Sequence, residues 1–175
     1  MPSIRPHHVT RVLLAVLIAA FIVSVVRHGS AGPVVGEAPP DFQLMDLDGR
    51  TVQLSDYRGK VTVINFWATW CPPCVEEMPS LNQFQQAFSP KGVVVLAVSV
   101  DDDEAALRRF VRDHRLAMTV IRDPGRKVAS LYQTYRYPET YILDRSGKLV
   151  KKIVGPADWN DPRVTSVVEQ LTSPS

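Results

Sequence analysis

Two cysteines, Cys71 and Cys74, are the only thiols in a chain of 175 residues, and Pro72 and Pro73 are all that separates them. They lie in NFWATWCPPCVEEMP, residues 65–79. Two thiols at this spacing can close and reopen a disulfide, or supply half of a metal site. Zinc needs about four ligands. His7, His8 and His28 belong to the N-terminal end, so His114 alone remains for the rest of the chain, and no metal is expected. A purely structural disulfide across so short a loop would add little chain-entropy stabilisation compared with a long-range bridge. That reading, and a degenerate pair in an inactive domain, stay open beside the redox one. Redox chemistry is favoured because a strand, the CxxC and a helix follow in the required order.

The elements that must position the thiols are legible. VTVINFW, Val61 to Trp67, is a nearly continuous apolar and β-branched run, as in a strand covered on both faces. From Pro72 to about Phe88, the residues Met78, Leu81, Phe84 and Phe88 recur at helical spacing, and Pro79 is expected to kink that helix. Cys71 then falls at the strand end and Cys74 in the first helical turn. Pro72 suits the first helical position because it has no N–H to leave unpaired. The helix dipole and unpaired N–H groups favour a thiolate at Cys71, whose pKa in such motifs falls toward about 7 or below. Cys74, one turn on, is placed to attack a mixed disulfide from behind.

Around this unit, Phe42, Leu44, the turn pair Asp48–Gly49, Val52 and Leu54 predict a β-hairpin, followed by a short turn capped by Ser55. Val93 to Val100 predicts a second buried strand. Asp101 to Asp103 should cap an amphipathic helix carrying Leu107, Phe110 and Val111 and ending near His114. A short apolar run over 118–121, a helix over about 126–133, a hairpin from 140–144 and 148–154, and a last helix capped by Asp161 complete the pattern. The expected class is α/β: a mixed central sheet with helices on both faces.

The chain has a formal net charge of +2 with acids and bases interspersed, which gives no electrostatic case for a nucleic-acid partner. Its 45% hydrophobic content suffices for one ordinary core. Val12 to Val26 is an apolar run broken only by Ser24, preceded by Arg5 and Arg11 and followed by Arg27. It predicts a signal-anchor with the N-terminus in the cytoplasm and the rest of the chain facing outward. Gly29 to Ala31 also offers a cleavage site. The expected division is a cytoplasmic tip and anchor over 1–31, a Gly/Pro-rich linker over 32–40 and the folded domain over 41–175.

VINFWATWCPPCVEEMPSL resembles the active-site segment of the thioredoxin superfamily. With SVDDDEAALRRFVRDHRLAMTVIRDPGRKVASLY and YPETYILDRSGKLV, the chain is similar to the membrane-anchored TlpA/ResA-like branch, which includes the CcmG/DsbE cytochrome c maturation proteins. The resemblance implies a thioredoxin fold with an N-terminal β-hairpin and a central αβ insertion. It implies a thiol-disulfide oxidoreductase acting as a disulfide reductase, with Cys71 attacking, Cys74 resolving and no cofactor beyond the Cys71–Cys74 disulfide. Pro138 matches the cis-proline loop, where the backbone of Tyr137 would pair with a substrate strand. Glu77 matches an acid that assists proton transfer, unless it lies on a solvated helix face beside Glu76. Trp70, Pro72 and Pro73 would complete the substrate-facing surface around Cys71. Tyr135 and Arg136, by their place before Pro138, either shape a substrate groove or are scattered surface residues.

Thioredoxins in general carry a buried aspartate six residues before the first cysteine; Asn65 stands there. An amide cannot act as a base, so that role passes to Glu77. Glu139 is similar to a residue of the cytochrome c maturation subgroup. By the same resemblance the partners would be an exported disulfide-bearing protein such as apocytochrome c, and a membrane thiol donor of the CcdA/DsbD type, with the domain a monomer. An oxidant or isomerase of the same fold is the alternative. A peroxidase would need proline and threonine where Ile64 and Ala68 stand, and a copper-delivery factor would need cysteines spaced by three residues.

Overall fold

A computed structural model describes residues 32–173. Its centre is β3 (Val61–Trp67), buried at every position, as expected of a nearly continuous apolar and β-branched run, with Thr62 and Asn65 its two polar members. β4 (Val93–Ser99) pairs with it in parallel, and β5 (Thr119–Arg122) pairs in parallel with β4. On the other side β6 (Glu139–Leu143) runs antiparallel to β3, and β7 (Leu149–Val154) antiparallel to β6. The predicted hairpin, β1 (Gln43–Asp46) and β2 (Thr51–Gln53), joins through β1 to β5. The described residues thus form a seven-stranded mixed sheet in the order β2-β1-β5-β4-β3-β6-β7.

Parallel neighbours need crossover connections, and helices supply them. α1 (Pro72–Phe88) links β3 to β4 with Met78, Leu81, Phe84 and Phe88 buried, and Pro79 lies inside it. α2 (Glu104–Asp113) links β4 to β5, with Leu107 buried. α3 (Lys127–Leu131) is shorter than expected. Gln133 turns to φ +54, and the Thr134 N–H bonds back to the Ala129 carbonyl at 2.8 Å, which ends the helix. α4 (Pro162–Thr172) has the predicted Asp161 cap, which accepts from the Arg163 N–H at 2.8 Å.

Two local readings change. Ser55 lies inside a 3-10 turn (Leu54–Tyr57) rather than capping it; its own N–H is capped by Asp41 at 3.0 Å. Of the acidic run, Asp103 caps α2 through the Ala106 N–H at 3.0 Å, whereas Asp101 is buried elsewhere. In the segment expected as a linker, Gly36 and Glu37 hydrogen-bond to Leu149, and Pro40 O accepts from the Tyr132 hydroxyl at 2.7 Å. The apolar run Val12 to Val26 lies outside the described residues; among the described residues no helix is long and apolar enough to cross a membrane.

Candidate active site

The carboxyl ends of β3, β4 and β5 lie side by side, and the loops leaving them form one rim. After β3, Ala68 to Trp70 turn the chain so that Cys71 becomes the N-cap of α1 in extended conformation (φ −99°, ψ 103°). Its N–H bonds to Ala68 O at 3.3 Å, and its carbonyl accepts the Val75 N–H at 3.0 Å. Pro72 and Pro73 carry no N–H, so the sequence places prolines where a helix has no bond to lose. The first turn of α1 holds no acidic residue to oppose a thiolate at Cys71. Cys71 and Cys74 are joined in a disulfide with Cα atoms 5.3 Å apart. Cys71 retains 6% exposure and Cys74 none, so a partner reaches the pair through Cys71.

The facing wall comes from the far end of the chain. The Tyr137–Pro138 peptide bond is cis, and the Tyr137 carbonyl oxygen lies 3.6 Å from Cys71 Sγ. Trp70, 55% exposed, meets the Tyr137 ring edge-on at 6.1 Å. Cys71, Cys74, Trp70, Tyr137 and Pro138 are therefore brought together, with exposed Pro72 and half-buried Pro73 on the outer turn. Tyr135 and Arg136 stay exposed on the approach to Tyr137.

Glu77 is 3% exposed, which removes the solvated-face reading. It lies three residues after Cys74, on the same buried face of α1. Its Oε1 accepts from Asn65 Nδ2 at 2.7 Å and its Oε2 from the Ala157 N–H at 2.9 Å. Asn65 Nδ2 also donates to Thr140 Oγ1 at 3.0 Å, a contact set by the β3–β6 register that pairs the two residues. Burial pushes the Glu77 carboxyl from 4.5 up to about 7, against the opposing pull of the Ala157 and Asn65 bonds. The group can therefore exchange a proton near neutral pH.

That shift has a stability consequence. Between 4.5 and about 7 the folded protein keeps the Glu77 proton that the unfolded chain releases. Folding stability therefore falls as pH rises through that window, by on the order of 3 kcal/mol at about 1.4 kcal/mol per pH unit. Denaturant unfolding of the oxidised protein at pH 5 and pH 8 should show the fall, and Glu77→Gln should flatten it. An equal fall in the variant would assign the effect to another group.

Two buried carboxylates have roles that the sequence reading misses. Asp101, 2% exposed, accepts from the Thr69 N–H at 3.1 Å, from the Thr69 hydroxyl at 2.6 Å and from the Ser99 hydroxyl at 2.7 Å. It thus ties the loop before Cys71 to the end of β4. The available signal is its place: a carboxylate just past the carboxyl end of a buried, largely apolar parallel strand, where site residues collect. Asp101→Ala leaves three donors without their acceptor, and about 3 kcal/mol of stability should be lost in denaturant unfolding. A loss below about 0.5 kcal/mol, the range of ordinary surface changes, would show that water replaces the carboxylate.

The second is Glu139, 4% exposed and directly after Pro138. It pairs with Lys152 Nζ at 2.7 Å, accepts from Thr134 Oγ1 at 3.0 Å and bonds the Tyr141 hydroxyl. Tyr141 in turn reaches the Tyr132 carbonyl at 3.0 Å, so this network braces the loop that carries Tyr137 and Pro138. Ile64 and Ala68, where a peroxidase would carry proline and threonine, are apolar and fully buried.

The comparisons agree with this geometry. Residues 35–152 match the model of the AhpC/TSA family. The thiol-disulfide oxidoreductase ResA of Bacillus cereus is 37% identical over 121 residues, which cover 69% of this chain and 70% of that protein. ResA of Oceanobacillus iheyensis is 36% identical over 150 residues, covering 82% of this chain and 78% of the relative. Among solved structures, one from Chlorobium tepidum, assigned as the thiol:disulfide interchange protein DsbE, superposes with a TM-score of 0.76 at 30% identity, covering 81% of this chain and all of that one. The pneumococcal exposed lipoprotein thioredoxin gives 0.65 at 30% identity, covering 75% of this chain and all of that one. With its fold, its disulfide and these relatives, the chain belongs to the AhpC/TSA family, among the ResA-like thiol-disulfide oxidoreductases.

Proposed function

We propose that the protein is a membrane-anchored reductase of disulfides in exported proteins, of which an apocytochrome c haem-binding site is one example. The observation that carries the reading is the asymmetry of the pair: Cys71 on a helix N-terminus with the pair's only exposure, Cys74 fully buried, and buried Glu77 one turn further along the same helix face. The apolar run Val12 to Val26 with Arg5 and Arg11 before it supports an anchor whose N-terminus stays in the cytoplasm. The domain then faces the periplasm or cell exterior.

In the reduced protein, the Cys71 thiolate attacks one sulfur of the substrate disulfide. A mixed disulfide forms, and the other substrate sulfur leaves as a thiolate and takes up a proton. Glu77 accepts the Cys74 proton, and the Cys74 thiolate attacks Cys71 Sγ. The second substrate thiolate is released, leaving the substrate with two electrons and the protein with the Cys71–Cys74 disulfide. A membrane thiol donor of the CcdA/DsbD type restores the dithiol. No further cofactor takes part, and a monomer suffices. Trp70, Pro72, Pro73, Tyr137 and Pro138 provide the surface on which the substrate strand lies.

The direction is tested by mixing the pre-reduced full chain with an oxidised CxxC peptide, and the oxidised chain with the same peptide reduced. Fast transfer in the first mixture and negligible transfer in the second is expected. The reverse would make the protein an oxidant.

A further inference from the structure

The central insertion does more than extend the sheet, because its exit turn joins the active-site rim. Asp123, just past β5, donates its N–H to Ser99 O at 2.8 Å. Its buried carboxylate accepts the Val128 and Ala129 N–H groups at 3.1 and 2.8 Å. This fixes the turn Asp123–Arg126 in place. Its last two residues, Gly125 (φ +78°) and Arg126 (φ +58°), are both left-handed. Glycine holds that conformation without strain, whereas arginine is disfavoured there, like Arg115 and Gln133 elsewhere in the chain, since among side chains only a short polar one adopts it readily.

The Arg126 guanidinium lies 5.8 Å from the centre of the Trp70 ring. It is also close enough to act on the Tyr137 phenol, which burial raises and Arg126 pulls back. Arg126 therefore sits beside the two aromatic residues that flank Cys71. Among the described residues its one ion pair, with Asp102, is loose: Nη2 to Oδ2 is 4.0 Å, and the side chains are 49% and 77% exposed. Such a pair leaves the cation able to take a second carboxylate. The cation–π contact with Trp70 keeps the guanidinium beside the ring, and its paired N–H groups suit a carboxylate better than any other protein group.

We propose that Arg126 is a specificity-determining residue that selects disulfides flanked by an acidic side chain in the substrate polypeptide. The inference rests on the reductase reading above and adds the charge of the preferred substrate. As the substrate strand lies against Tyr137, a carboxylate next to its cysteine meets the guanidinium over Trp70, whereas a lysine there meets a like charge.

The test uses three disulfide peptides identical except for Glu, Gln or Lys beside one cysteine, each reduced by the pre-reduced full chain. At low salt the Glu peptide should react about five-fold faster than the Gln peptide, the worth of a partly exposed charge pair of about 1 kcal/mol at 1.4 kcal/mol per tenfold. The Lys peptide should be slower than the Gln peptide. The ratios should approach one in about 1 M salt, where the Debye length is about 3 Å. Arg126→Gln should erase the ratios and Arg126→Glu should invert them, making Lys the preferred neighbour. Equal rates for the three peptides with the natural protein, or the same ratios in Arg126→Glu, would overturn the assignment while leaving the reductase reading standing. If none of the peptides is reduced, both readings fall together.

Discussion

Replacing Cys71 by serine abolishes disulfide reduction, lowering the rate by about a thousandfold or more, to the level of the uncatalysed reaction. Cys71 is the sulfur that keeps contact with the surface, it caps α1, and it faces the Tyr137 carbonyl across the groove. A serine hydroxyl does not ionise at neutral pH and forms no disulfide, so neither attack nor mixed disulfide remains. The fold should survive. The lost crosslink spans a sequence separation of three, for which chain entropy contributes about 2 kcal/mol at most. Steady-state reduction of a peptide disulfide, run beside denaturant unfolding of the same preparation, separates loss of chemistry from loss of structure. Retained turnover in a folded variant would mean that Cys74 can act alone, against its complete burial.

Replacing Cys74 by serine should stop turnover as completely but leave a different residue of the reaction. Cys71 can still attack, and the mixed disulfide it forms has lost its resolving sulfur. Cys74 is positioned one helical turn from Cys71, so its attack on the mixed disulfide is intramolecular, and without an added thiol nothing in the protein replaces it. One equivalent of substrate should therefore remain covalently bound, visible as a mass increase that dithiothreitol removes. Free variant after incubation with excess disulfide would count against the division of roles between the two cysteines.

How far these roles are legible depends on whether the physics is local. The CxxC at a strand end, the apolar β3 and the helical spacing of Met78, Leu81, Phe84 and Phe88 are written in adjacent residues, and each stands at its expected place. The hairpin around Asp48–Gly49 is likewise a short-range signal. Glu77 is visible as a candidate, but its burial depends on Asn65 and Ala157, 12 and 80 residues away. Asp101 reads as a helix cap because acidic residues before a helix usually are. Its partner Thr69 is 32 residues distant and becomes a neighbour only when β4 pairs with β3. Glu139 with Lys152 needs the β6–β7 pairing in the same way. The cis bond at Pro138 has no local signature, since cis and trans X–Pro differ by only about 0.5–1 kcal/mol and tertiary context decides. Arg126 reads as the first residue of a helix, and its left-handed position over Trp70 follows from Asp123 capping α3 one residue later than periodicity alone suggests.

The most direct test of the proposed reductase is the reduction potential of the Cys71–Cys74 pair, measured on the full chain equilibrated in thiol buffers of known poise. A value near or below about −250 mV is expected, because a dithiol must lie low to donate electrons to disulfides in an oxidising compartment. A value near about −120 mV, that of a strong oxidant, would contradict it and turn the reaction to disulfide formation.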